Sequence, residues 1–204
     1  MSTRRGGLNM REVTIEARRI QLVRGDITEL GRHIGAIVNA AGEDLRAAGG
    51  VSGAIHRAGG MEIGVECRWI GNAATGTAVA TTAGLLDANA VIHAVGPVWT
   101  GGRANEERLL SSAYRTALEL AERLNLTSIA FPAISTGLYG FPMERSANVA
   151  IGTVAAYLRR SNVVQEVVLV LFTVEDYLVY ERCLDRFERV QASRAAYEAA
   201  QKAG

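Results

Sequence analysis

Residues 166–172, EVVLVLF, constrain the fold more than any other stretch of the sequence. They form a continuous run of mainly β-branched and aliphatic residues, a pattern typical of a strand that is buried on both faces. Such a strand needs helices on both sides of its sheet. We therefore expect an α/β protein in which two helical layers enclose a central sheet.

Short strand-like segments alternate with amphipathic helices along most of the chain. Further strands are expected at 14–23 (a hairpin or bent edge strand), 36–39, 77–82, 90–95 and 128–134. A helix is expected to begin near Ala54, after a glycine-rich stretch, and another at 61–71. The clearest helix is expected at 103–124, with one face formed by Leu109, Ala113, Ala117, Leu120 and Leu124. Two more helices are expected, one with Ala147, Ala150, Ile151, Val154 and Leu158 in register and one with Tyr177, Tyr180, Leu184 and Phe187. This alternation predicts a mixed sheet of about six strands.

The length and charge of the chain limit its organisation and its partners. Its 204 residues suffice for one domain, which we expect over 14–190, after a leader at 1–13 and before a helical extension or tail at 191–204. The net charge is +1 and Arg and Glu interleave along the helices, which disfavours nucleic acid as a partner. The sequence has neither a bilayer-spanning apolar run nor a secretory signal at its start, so we expect no membrane partner and a cytoplasmic protein.

The cysteines and two of the histidines are expected to be structural. Cys67 and Cys183 lie far apart in amphipathic segments, and their spacing matches neither a metal-binding motif nor a disulfide framework. His93 lies within an apolar strand, and His56 lies one turn into a helix, which favours hydrogen-bonded structural roles. We expect no metal and no cofactor.

Two glycine-bearing loops follow strands at the expected carboxyl edge of the sheet, where ligands bind in folds of this type. One loop runs from Gly42 to Gly53 and leads into a helix, and the other is STGLYG at 135–140. Without β-carbons, backbone N–H groups can approach an anion closely, and a helix N-terminus adds partial positive charge. Neither loop matches a P-loop or a GxGxxG fingerprint. The pattern favours a phosphate-containing small ligand, and the alternative is that these glycines only form turns.

Four motifs, taken in order, carry a family resemblance. They are RGDIT at 24–28, AIVNAA with GGVSGAIHRAGG at 36–41 and 49–60, VIHAVGPVW at 91–99, and ISTGLYGFP at 134–142. Together they resemble the macrodomain family of ADP-ribose-binding modules over roughly Ile20–Phe187. The resemblance implies a three-layer α/β/α sandwich that binds ADP-ribose in a cleft across the top of its sheet.

The resemblance also implies which residues contact the ligand. Asp26 is expected to accept the exocyclic amine of adenine beside Ile27, and Phe172 is expected to stack on the base. Asn39 is expected to brace the loop near the distal ribose. The diphosphate is expected to contact the amides of the two loops, at Gly49, Gly50, Val51, Ser52, Gly53, Ser135, Thr136, Gly137, Leu138 and Tyr139. The residues alone leave Asp26 open as a helix cap and Phe172 open as a core residue.

The sequence departs from the hydrolytic members of the family, which commonly read VNAAN and GGVDGAIH. Their second Asn and their Asp position the distal ribose and a water, whereas this chain has Gly42 and Ser52 at those places. Asn39, Ser52 and Asp44 are the candidate catalytic residues. The alternative is that Asp44 and its neighbour Glu43 are only charged side chains of a solvent-exposed loop.

Three functions follow as hypotheses. The first is an enzyme that removes an acetyl group, a phosphate or a modified acidic side chain from the distal ribose of ADP-ribose. The second is a non-catalytic ADP-ribose reader. The third is a binder of other adenine nucleotides or RNA ends, which the near-neutral charge disfavours.

Overall fold

The computed structural model describes residues 10–202 and is built on one sheet of seven strands. The strands are β1 (Met10–Ile15), β2 (Arg18–Arg24), β3 (Ile34–Ala41), β4 (Ala78–Thr82), β5 (Ala88–Val95), β6 (Ser128–Phe131) and β7 (Glu166–Leu171). The helices in this part of the chain are α1 (Gly50–Gly59), α2 (Met61–Ile70), α3 (Glu106–Arg123), α4 (Met143–Leu158) and α5 (Val174–Lys202).

The sheet is mixed, with strand order β1-β2-β7-β6-β3-β5-β4. The pairs β1–β2 and β4–β5 are antiparallel, and the four pairs between them are parallel. All six residues of β7 are buried, as the sequence predicted. The carboxyl ends of β3, β5, β6 and β7 therefore meet at one edge of the sheet.

The sheet separates two apolar clusters, which confirms the three-layer sandwich. Ile37 belongs to the cluster that includes Ile55 of α1 and Ile63 of α2. The next residue, Val38, points to the opposite face, because side chains alternate along a strand, and joins the cluster that includes Tyr114 of α3 and residues of α4 and α5.

The N-terminal segment confirms one prediction and corrects two others. Residues 14–23 belong to a hairpin, the first of the two predicted alternatives, whose turn includes Glu16 at φ 55°. With both of its strands counted, the sheet has seven strands instead of about six. The expected leader at 1–13 is also too long, since Met10 pairs with Val23 in β1. Residues 1–9 lie outside the described part of the chain. At the other end, α5 continues through Lys202, which is the helical one of the two alternatives for the tail.

Helix α3 buries a face shifted from the predicted one. Leu124, predicted as buried, is 46% exposed beyond the end of the helix. The predicted stripe steps by four, four, three and four residues, so it turns away from the buried face, because a step of four overshoots a turn of 3.6 residues. The buried positions are Leu110, Ala113, Tyr114, Ala117, Leu118 and Ala121, together with Glu106.

Strand β6 ends at Phe131, three residues before the predicted end. Pro132 has no N–H to continue the ladder. The hydroxyl of Tyr114 donates to the carbonyl of Pro132 (3.2 Å) and accepts from the N–H of Ile134 (3.3 Å). This buried hydroxyl positions the chain that enters the second glycine-bearing loop.

None of the helices within residues 10–202 combines the length and the apolar character needed to cross a membrane.

Candidate functional site

A cavity of about 340 Å³ opens at the carboxyl ends of β3, β6 and β7. Its wall comes from four parts of the chain: the end of β3 with the segment after it up to Ser52, Gly96 after β5, the loop from Pro132 to Tyr139, and Val170–Phe172 with Asp176. The volume lies within the range of small-molecule sites. The two glycine-bearing loops of the sequence therefore face one cavity.

The N-terminus of α1 opens onto this cavity. The helix begins at Gly50, and no side chain caps its first turn. The free N–H groups of an uncapped helix start bind anions, assisted by the helix dipole. Gly50 has φ +61°, which explains the need for glycine, and Gly49 and Val51 also line the wall.

The second loop is held in a strained conformation beside the first. Ser135 has φ +67°, which is unusual for a residue other than glycine and is typical of functional sites. The N–H of Phe141 donates to the carbonyl of Ser135 (3.0 Å), and Gly140 donates to Gly137 (2.9 Å). At Gly96, at the end of β5, a β-carbon would lie 2.2 Å from the Ser135 hydroxyl oxygen, so only glycine fits there.

Asn39 lies behind the first loop and outside the cavity wall. Its side chain is fully buried, and its Nδ2 donates to the Ser52 hydroxyl (3.4 Å) and to His93 Nδ1 (3.0 Å). Ser52 is 3% exposed, and its hydroxyl donates to the carbonyl of Arg46 (3.5 Å). The bracing role expected for Asn39 suits this position. Catalytic roles for Asn39 and Ser52 stay predictions: the Asn39 side chain is fully buried outside the wall, and the Ser52 hydroxyl is hydrogen-bonded within the loop.

His93 is a buried hydrogen-bonded residue. Its Nδ1 accepts from Asn39, so Nε2 carries the proton and donates to the Thr81 hydroxyl (2.9 Å). Burial, with a smaller contribution from His56, lowers the pKa of His93 to about 4 and keeps the ring neutral.

The fold also brings His56 and Cys67 to His93, with their potential ligand atoms within 4.8 Å of one another. The spacing of the two cysteines along the chain does not indicate this cluster. Both nitrogens of His93 already have hydrogen-bond partners, and burial raises the pKa of the Cys67 thiol. The neutral His93 ring and the protonated Cys67 thiol are parts of a packed core, which agrees with the structural roles expected for His93 and Cys67.

Asp26 forms a turn and not the helix cap considered as its alternative. Its Oδ1 accepts from the N–H (2.9 Å) and the hydroxyl (2.7 Å) of Thr28, and no helix follows. Ile27 is 4% exposed in the core. The N–H of Gly25 donates to the carbonyl of Leu171 (3.0 Å), which places this turn beside the end of β7. Asp26 and Ile27 thus lie next to the cavity without lining it.

Phe172 follows β7 directly and lines the cavity with its side chain 73% exposed. This exposure contradicts the alternative that Phe172 is a core residue. An exposed aromatic face on a cavity wall is suited to stacking on a planar ring.

The adjacent carboxylates of Glu43 and Asp44 behave differently. Glu43 accepts from the N–H (3.0 Å) and hydroxyl (2.8 Å) of Thr75, which lower its pKa, so it anchors the loop. Asp44 lines the cavity and accepts from the N–H of Arg46 (3.2 Å). Only Asp44, of the three predicted catalytic residues, presents an ionisable group to the cavity.

These features define a class of protein: an α/β sandwich with a small-ligand site at its strand ends, suited to a ligand that carries phosphate and a planar ring. Comparison with known proteins narrows the class. A family model described as Macro domain matches residues 38–150. The chain therefore belongs to the macro domain family, as the four motifs indicated.

Similar proteins and structures cover most of the chain. A macro domain-containing protein of Caldanaerobacter subterraneus is 48% identical over 175 residues, 84% of this chain and 98% of its own length. An O-acetyl-ADP-ribose deacetylase of Salmonella typhimurium is 48% identical over 81% of this chain and 94% of its own. The Oceanobacillus iheyensis macrodomain with ADP has a TM-score of 0.85 at 35% identity, covering 90% of this chain and 99% of that one. The Trypanosoma brucei macrodomain in complex with ADP-ribose has a TM-score of 0.75 at 36% identity, covering 81% of this chain and 68% of that one.

Proposed function

We propose that this protein binds ADP-ribose and removes the acetyl group from O-acetyl-ADP-ribose. The observation that carries the proposal is the arrangement of one cavity between an exposed aromatic side chain, Phe172, and the uncapped N-terminus of α1. Relatives at 48% identity that are named O-acetyl-ADP-ribose deacetylases, and similar macrodomains that hold ADP or ADP-ribose, support it.

Each part of ADP-ribose has a matching part of the cavity. The adenine stacks on Phe172 and donates its amine to Asp26 at the adjacent strand end. The diphosphate lies between the start of α1 at Gly50 and the loop at 135–139, where backbone N–H groups compensate its charge. The distal ribose then reaches the end of the cavity near Gly42 and Asp44.

A calorimetric titration with ADP-ribose, ADP and AMP tests the binding proposal. We expect affinity to fall in that order, because ADP lacks the distal ribose and AMP lacks the second phosphate as well. Equal affinity for all three would contradict the assigned positions of diphosphate and ribose, and would favour a general binder of adenine nucleotides.

A non-catalytic ADP-ribose reader is the second candidate. It is favoured by Gly42 and Ser52, which stand where hydrolytic relatives carry functional side chains. Adenine and diphosphate contacts are made equally in ground and transition states, so they support affinity without accelerating the chemical step. A single-turnover assay with O-acetyl-ADP-ribose separates the two: release of acetate above the uncatalysed rate is expected of the enzyme, and none is expected of the reader.

A further inference from the structure

Two side-chain oxygens converge on the space beside Gly42. A β-carbon at this position would lie 3.3 Å from Asp44 Oδ1 and 3.3 Å from the Tyr139 hydroxyl oxygen. Asp44 and Tyr139 belong to different loops, and both line the cavity together with Gly42. A space bounded by a carboxylate and a hydroxyl, and open to the cavity, is suited to binding a water molecule.

The segment that carries Asp44 is fixed on both sides. Leu45 is fully buried, and its N–H donates to the carbonyl of Gly42 (3.0 Å), which closes a tight turn. The carbonyl of Glu43 accepts from the N–H of Ala73 (2.9 Å), in addition to the bonds between the Glu43 carboxylate and Thr75. These contacts hold the backbone of Asp44 at the cavity before any ligand arrives, which is the preorganisation that positioning a reactant requires.

The side chain of Asp44 is also oriented. Its Oδ1 accepts from the N–H of Arg46, and its Oδ2 lies 3.8 Å from Arg46 Nε. This carboxylate is exposed and accessible to a water. Of Glu43 and Asp44, only Asp44 meets the cavity.

We propose that Asp44 is the catalytic base of this protein and that the Tyr139 hydroxyl holds the same water, so that the chain carries its carboxylate beside position 42 instead of at position 52. This inference rests on the proposed function. Asp44 and Tyr139 would then position the attacking water, which Gly42 and Ser52 do not do.

The reaction is ester hydrolysis. The water oxygen bonds to the acetyl carbon while Asp44 accepts a proton from that water. The bond between the acetyl carbon and the ribose oxygen then breaks, and the ribose oxygen takes a proton back from Asp44. The products are acetic acid, which ionises in solution, and ADP-ribose, and no redox partner is needed.

Asp44→Asn tests the proposal, because the amide oxygen still accepts from the N–H of Arg46 but the side chain no longer takes a proton. We expect kcat for O-acetyl-ADP-ribose to fall by roughly 10²-fold or more, the usual contribution of a general base. The affinity for ADP-ribose, measured by calorimetry, should stay within about twofold, since the lost step belongs to the transition state. In the unmodified protein the rate should fall at acid pH, and this fall should be absent from the residual activity of Asp44→Asn.

Glu62→Gln is the control. It removes an exposed carboxylate on α2 that lies outside the cavity wall and does not hold the Asp44 loop, so its rate should equal that of the unmodified protein. Tyr139→Phe should lower kcat by a smaller factor, roughly tenfold for one lost hydrogen bond to the water. Gly42→Ala should lower kcat as well, because its β-carbon occupies the space between the two oxygens.

The outcomes separate this inference from the proposed function. An unchanged kcat in Asp44→Asn, or an equal loss in Glu62→Gln, would overturn the role of Asp44. Tight binding of ADP-ribose with no acetate release by the unmodified protein would also overturn it while leaving the binding proposal in place. Failure to bind ADP-ribose would overturn both.

Discussion

The contact between Asp26 and the adenine amine can be tested by changing one atom. In Asp26→Asn, the two hydrogen bonds from Thr28 require an acceptor at the Oδ1 position. The amide oxygen therefore stays there, and the amide nitrogen takes the place of Oδ2. A donor then faces the adenine amine, which is itself a donor.

The magnitude follows from the bonds involved. A hydrogen bond to a charged group contributes about 1.5–3 kcal/mol, so ADP-ribose affinity should fall roughly 10- to 150-fold. Rotating the amide to restore an acceptor would break both bonds to Thr28, at about 0.5–1.5 kcal/mol each. The hypoxanthine analogue, which has a carbonyl oxygen in place of the amine, should instead gain affinity relative to ADP-ribose.

Calorimetry with ADP-ribose and its hypoxanthine analogue measures this switch. Glu29→Gln, an exposed carboxylate change in the same turn, should leave both affinities unchanged, and the melting temperature of Asp26→Asn should match that of the unmodified protein. Unchanged preference for adenine in folded Asp26→Asn would refute the contact. Asp26 lies beside the cavity and not in its wall, so this result would also show that the base does not extend to the end of β2.

Three further predictions use matched variants. Phe172→Ala should weaken ADP-ribose binding by about 1–3 kcal/mol, the usual value of stacking on a base. Its melting temperature should hardly change, since Phe172 is 73% exposed. Leu85→Ala, which removes an even more exposed side chain far from the cavity wall, should change neither binding nor melting temperature. Undiminished binding by Phe172→Ala would place the adenine elsewhere. Gly137→Glu should abolish ADP-ribose binding, because its carboxylate would occupy the place proposed for the diphosphate, in open space and without backbone strain. Gly152→Glu, on the exposed face of α4, is the control and should bind normally. Normal binding by Gly137→Glu would show that the diphosphate lies on another surface. Burial lowers the pKa of His93 to about 4, against about 6.5 in the unfolded chain, so the unfolded state binds more protons. The free energy of unfolding should therefore decrease by up to about 3 kcal/mol as pH falls from 6.5 to 4. Urea titrations should show a weaker dependence of this free energy on pH in His93→Gln, and an identical dependence would assign it to other groups.

The parts of the fold that the sequence predicted are those with unambiguous local patterns. The continuous apolar run at 166–171 forms a strand buried on both faces, as predicted, and the buried positions of α4 follow its apolar period. Helix α3 was harder, since Leu109 and Leu110 both carry an apolar side chain and the choice between them depends on packing against α4 and the sheet. The start of β1 was predicted at residue 14 instead of Met10, because its first residues alternate with polar ones and are held by backbone pairing with β2, which the local sequence does not show.

The site was predicted where it depends on short motifs and missed where it depends on distant contacts. The two loops, with Gly50 and Ser135, face one cavity as their position after strands indicated. The anchoring of Glu43 by Thr75 joins residues 32 positions apart, and no local pattern announces it. Glu43 and Asp44 therefore could not be distinguished before this contact was known. The space beside Gly42 likewise depends on Tyr139, which approaches from the other loop.

A crystal structure of the complex with ADP-ribose tests the central claim most directly. We expect the diphosphate between the first turn of α1 and residues 135–139, the adenine on Phe172, and the distal ribose directed to Gly42, with a water between Asp44 and Tyr139. A diphosphate bound anywhere other than at the start of α1, in crystals of protein that binds ADP-ribose in solution, would contradict the account.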